Sequence, residues 1–141
     1  MPPYRANAIA YIMPPNMEYR EPLPARCPPE DAEEIVTKRR VYRLVRNNPP
    51  TLDDFLSQLA ERPNMKLYNT SECVARGLSV LADRRDWENL RRLPNFRRRH
   101  LCSVELQNGA GRIQKTGRIP SHHTWWPYTE YDILANCVVE G

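Results

Sequence analysis

The sequence predicts an α+β domain, with a mixed or mainly antiparallel sheet and two or three helices, behind a proline-rich N-terminal arm. Two observations carry this. Stretches rich in β formers alternate with helix-forming stretches without regular strand-helix-strand units. Prolines crowd one end: of 14 in 141 residues, Pro2, Pro3, Pro14, Pro15, Pro22, Pro24, Pro28 and Pro29 fall in the first thirty. The division that follows is an arm over 1–40 and a globular domain over 41–141.

In the arm, proline fixes φ and supplies no amide hydrogen, so the segment should be extended or polyproline-like. Tyr4, Ile9, Tyr11, Ile12, Met13, Met17 and Tyr19 are too many apolar side chains for a purely solvating tail. Packing across the core or on a second subunit, giving an oligomer, is expected as readily as disorder. Pro29 to Lys38 carries early acids before good helix formers and predicts a short helix. Val41 to Arg46 is rich in β formers and stops at Asn47-Asn48-Pro49-Pro50, a strand and a turn.

Thr51 is placed to cap a helix in which Leu52, Phe55, Leu56 and Leu59 share one face, ending before Pro63. Ser71 to Arg76 predicts one or two helical turns closed by Gly77. Leu78 to Leu81 reads as a short strand. Asp83 then caps a helix presenting Trp87, Leu90 and Leu93 before Pro94 stops it. Leu101 to Leu106, the Asn108 to Gly111 turn and Arg112 to Thr116 predict a β-hairpin. A loop carrying His122, His123, Trp125 and Trp126 leads to a closing strand over Ile133 to Val139.

Five glycines rule out a collagen-like or Gly-rich chain, and no stretch approaches the ~20 apolar residues of a membrane helix. Prolines interrupt the N-terminus where a secretory signal would need an apolar run, so a cytoplasmic location is expected. Cys27, Cys73, Cys102 and Cys137 show no metal or redox spacing and are expected to be buried, reduced thiols.

The net charge of +4 is modest but uneven. Seven arginines stand between Arg84 and His100 against Asp86 and Glu88. Guanidinium forks match phosphate, so Arg97, Arg98 and Arg99 are candidate anion-binding residues for RNA or an acidic protein partner. The plainer alternative is the solvated side of an amphipathic helix. Ser121 to Tyr128 is the densest run of functional groups in the chain. His122 and His123 are adjacent and point opposite ways on an extended chain, which makes them poor ligands for one metal ion. With Trp125 and Trp126 they could line a ligand site, or the tryptophans could cap the sheet while the histidines bond to backbone. No P-loop, G-x-G-x-x-G, G-x-S-x-G or H-E-x-x-H signature is present.

The V-Y-R-L-V-R strand, the helix after it, the G-L-S-V strand running into a D-x-x-x-W helix, and the closing strand ending in Glu140 resemble the ADP-ribosyltransferase-like fold. The resemblance implies NAD as substrate, with Arg43 holding its ribose and phosphates, Ser79 in the second motif, and Glu140 steadying the oxocarbenium-like transition state. Glu105 is the substitute carboxylate. The GLSV and SHHTWWP blocks also resemble those of short bacterial proteins, a likeness that brings no activity with it.

Overall fold

The strand that begins at Arg39 organises the molecule. The computed structural model describes residues 17–140, so the apolar residues Tyr4 to Met13 of the arm lie outside the described residues. Seven strands form one sheet: β1 (Glu33–Glu34), β2 (Arg39–Val45), β3 (Leu78–Leu81), β4 (His100–Leu106), β5 (Gly111–Lys115), β6 (His122–Pro127) and β7 (Cys137–Val139). Their order is β1-β5-β6-β3-β2-β4-β7, and every pairing is antiparallel. Among the described residues three short α-helices accompany it: α1 (Gln58–Glu61), α2 (Glu72–Ala75) and α3 (Arg84–Leu90). The α+β class is therefore realised in a strand-rich form. Among the described residues no helix is long and apolar enough to cross a membrane.

Alternation along the strands separates two cores. On one face Val41, Val45, Leu78, Val80, Cys102, Val104, Ile113 and Trp125 meet Phe55, Tyr131 and Ile133. On the other, Leu44, Leu81 and Leu101 take up Trp87 of α3, with Leu90 and Phe96 packed at the margin. Trp87 fixes α3 to the sheet by donating its Nε1–H to Tyr42 O at 2.7 Å. Asp83 caps that helix, its Oδ1 accepting from Arg85 N at 2.9 Å. Leu93 lies beyond the helix and is exposed.

Several local expectations are corrected. Residues 29–38 form no helix. Ala32 and Ile35 are buried, and Ile35 N donates to Gly111 O, so pairing at the sheet edge overrides helix propensity and produces β1. Glu33 and Glu34 of the arm are thus part of the sheet, and Tyr19 adds a bridge to Tyr128.

The long helix from Thr51 is broken into a 3-10 turn (Leu52–Phe55) and α1, with Leu56 extended between them. Asp54 closes a capping box on the 3-10 turn, and Glu21 takes the amide that would continue the helix. Asp54 accepts from Arg46 N and Thr51 N, and Glu21 accepts from Ser57 N at 2.8 Å and from its hydroxyl.

The predicted hairpin does not exist, because β4 and β5 pair with other strands. Their turn is a corner between halves of the sheet. A Cβ on Gly111 would stand 2.1 Å from Trp126 O, so glycine lets β5 close on β6. The expected histidine-tryptophan loop is the interior strand β6. The closing run is strand only from Cys137, because Asp132 holds Ala135 N and the Asn136 amide in a 3-10 turn (Leu134–Asn136).

Cys27 and Cys73, expected to be reduced, form a disulfide. Their spacing in sequence, 46 positions, gave no sign of a Cα separation of 5.5 Å.

Candidate functional site

The sheet opens between β2 and β3. Along its whole length β2 pairs with β4, but it meets β3 only at Tyr42↔Leu81. Beyond that pair the strands diverge and the Arg43 side chain fills the gap. Its Nε donates to Asp54 O at 2.9 Å, Nη1 to Ser79 O at 2.8 Å and Nη2 to Leu56 O at 3.2 Å. One guanidinium thus ties β2, β3 and the turn before α1. Burial pushes Arg43 down to about 10, still charged at neutral pH. Two of its five N–H groups remain for a ligand.

A groove follows this seam in three chambers that share walls. The middle one, about 330 Å³, is lined by Arg43, Glu61, Ser79, Trp87, Phe96, Arg99 and His122, among others. An inner chamber of about 430 Å³ continues past Ser79 and His122 to Ser71, Thr116 and Gly117. An outer chamber of about 720 Å³ continues past Arg43 and Arg99 to Arg46, Arg62 and Asn95. The separation in sequence is wide, yet Arg43, Ser79 and His122 line one cavity.

His122 reaches the groove because β6 alternates, which sends His123 to the opposite face. Its Nδ1 lies 3.1 Å from Thr116 O and 3.1 Å from Thr116 Oγ1. A carbonyl only accepts, so the neutral ring carries its proton on Nδ1 and leaves a lone pair on Nε2. Burial holds the ring below its ordinary range, which keeps it neutral at pH 7. Thr116 is itself fixed by Thr124 Oγ1 at 2.8 Å. Glycine at 117 is required by φ of +74° and by the nearness of the ring, since a Cβ would lie 3.0 Å from His122 Nδ1.

Two carboxylates line the outer part. Burial raises Asp54, but hydrogen bonds from Thr51, Arg46 and Asn47 outweigh it and hold the group below its usual range. Asp54 is consumed by that turn. Glu61, 3.0 Å from Arg46 Nη1, is a third exposed and is the carboxylate available to a ligand.

The other candidates stand elsewhere. Glu140 is not among the groove's lining residues; its Oε1 pairs with Arg84 Nη1 at 2.9 Å. Glu105 pairs with Arg40 at 3.3 Å. His123 Nδ1 bonds to Ser121 O at 2.8 Å. Trp125 and Trp126 are completely buried, donating to Ala110 O and Cys73 O, so neither wall nor stacking surface is left for a ligand. The aromatics on the groove are Trp87 and Phe96. Arg99 lines the groove, whereas Arg97 and Arg98 are exposed beside it.

Sequence reasoning missed Glu61, Phe96 and Thr116. Glu61 and Phe96 sit in ordinary polar contexts, and only the return of β5 toward β6 brings Thr116 to His122. Among the described residues no cluster of three or more His, Cys, Asp or Glu side chains is placed to hold a metal ion. Comparison of the chain with protein-family models, with curated proteins and with solved structures finds no match.

Proposed function

We propose that the groove binds a nucleotide of the NAD type in an ADP-ribosyltransferase-like fold, and that the chain cleaves or transfers at the nicotinamide ribose. The observation that carries this is the middle chamber, where Arg43, Glu61, Ser79 and His122 converge from four separate segments. In this reading the remaining N–H groups of Arg43, with Arg99, face the phosphates. Ser79 hydrogen-bonds the ribose, and Phe96 offers a face to a planar ring. The bond between ribose C1′ and the nicotinamide nitrogen breaks, the electron pair leaving with nicotinamide. Glu61, in the role first given to Glu140, opposes the positive charge left on the ribose. His122 Nε2 takes the proton of the attacking water or acceptor hydroxyl.

The cytoplasmic location expected from sequence suits the reduced Cys102 and Cys137 but not the Cys27–Cys73 disulfide, which persists in oxidising surroundings.

Trp87 lines the chamber, so NAD should quench tryptophan fluorescence, and nicotinamide release measures turnover. Glu61→Gln should lower turnover at least 100-fold with little loss of binding, and Glu140→Gln should leave both near wild type. No quenching at millimolar NAD, or full turnover in Glu61→Gln, overturns the reading.

A further inference from the structure

The arginine cluster divides by its partners. Arg84, Arg85 and Arg91 are matched to Glu140, Asp83 and Glu88. Among the described residues, the guanidinium groups of Arg92, Arg97, Arg98 and Arg99 have neither a hydrogen bond nor an ion pair, and Arg62 across the outer chamber is in the same condition. The acids on that chamber compensate only in part, two carboxylates facing the guanidinium groups of Arg43, Arg46, Arg62 and Arg99. Asp54 is taken by the N–H groups of Arg46 and Thr51 and by Asn47, while Glu61 pairs with Arg46 and stays a third exposed. Glu61 and Asp54 attract the Arg43 cation, and Arg99 repels it more weakly. Holding like charges around one concavity is unfavourable without an anion between them.

We propose that this rim binds single-stranded nucleic acid, its phosphates following Arg62, Arg99, Arg98 and Arg97 while a base enters the outer chamber beside Phe96. The shape argues for a single strand. A duplex is read by an element that protrudes into its groove, whereas Arg62 and Arg99 line a hollow of about 720 Å³ and the exposed Arg97 and Arg98 precede Arg99 on an irregular turn. Single-strand sites combine a cationic channel with an aromatic group, and Phe96 lines the same chamber as Arg43 and Arg99. An acidic polypeptide would match the charge but offers no planar group to fill the chamber. The proposal shares Arg99 and Phe96 with the NAD reading but requires none of Ser79, Glu61 and His122.

The test is fluorescence polarisation of labelled 12-nucleotide oligo-U and oligo-dT with the whole chain. Neutralising about four phosphates gives a log-log salt slope of about −2.8, so binding should weaken roughly 50-fold between 50 and 200 mM salt. The R62Q/R97Q/R98Q/R99Q variant should bind at least tenfold more weakly at 50 mM and show a slope of about −1 or flatter. R84Q/R85Q, whose arginines are paired with acids, should stay within about twofold of wild type. Melting temperatures of both variants establish that they are folded. Salt-sensitive binding of either oligomer supports the proposal, whichever of the two is preferred. Absence of binding at 50 mM, an unchanged slope in the quadruple variant, or equally tight binding of poly-glutamate overturns it, the last in favour of an acidic protein partner.

Discussion

Replacing Arg43 by methionine keeps an unbranched stem of similar reach and removes the guanidinium from the seam. Three main-chain carbonyls then lose their donors: those of Asp54, Leu56 and Ser79. Ser79 O stands at the groove and regains water, so it contributes little. The carbonyls of Asp54 and Leu56 are partly buried, and an unsatisfied buried acceptor costs about 1–3 kcal/mol. The expected loss is therefore about 3 kcal/mol, on the order of 10 °C in melting temperature for a domain of this length. Urea unfolding followed by far-UV circular dichroism measures it. Arg43→Lys should recover only a minor share, because one ammonium cannot reach carbonyls on three diverging segments. A loss below about 0.5 kcal/mol in Arg43→Met, or full recovery by lysine, would refute the role assigned to the guanidinium.

Other perturbations probe neighbouring parts. A Cβ on Gly77 would lie 2.2 Å from Thr124 Cγ2 and 3.1 Å from Trp126 Nε1, so Gly77→Ala should destabilise by about 1–3 kcal/mol, read by calorimetry. Opening the Cys27–Cys73 loop by Cys27→Ser should cost up to about 4 kcal/mol on the chain-entropy argument for a separation of 46, measured by denaturant unfolding without reductant. His122 is held below its ordinary 6.5, so the unfolded chain protonates first on acidification. Its contribution to stability is complete above about pH 6.5 and falls as the pH drops toward its lowered folded value; His122→Gln should flatten that part of the stability-pH profile.

How far the sequence discloses this arrangement depends on whether a residue's role is local. The period-two runs at Val41 and Leu101, the Asp83 cap before α3 and the glycine after α2 are set by near neighbours, and each element forms near where those signals place it. The strand partners are not local. The turn at Asn108 to Gly111 has the chemistry of a hairpin, but the buried side of Gly111 directs β5 to β6. Likewise the alternation in His122-His123-Thr124-Trp125-Trp126 already contains a strand, but its concentration of polar and aromatic groups gives it the look of a binding loop. Strand geometry then separates the histidines and buries both tryptophans, leaving His122 alone at the groove. Arg43 and Ser79 are visible as candidates, whereas the turning of Arg43 toward main-chain carbonyls depends on Glu21, distant in sequence, taking the Ser57 amide from a helix that local propensity favours.

The seam between β2 and β3 has a consequence for selectivity. Past Tyr42 and Leu81 no ladder sets the distance between the two halves of the sheet; the span is fixed by how far one arginine extends from β2 to the carbonyl of Ser79. The gauge of the groove is thus written in the length of a side chain rather than in the backbone. Shortening that side chain would change which ligand widths are admitted while leaving the groups that line the opening in place.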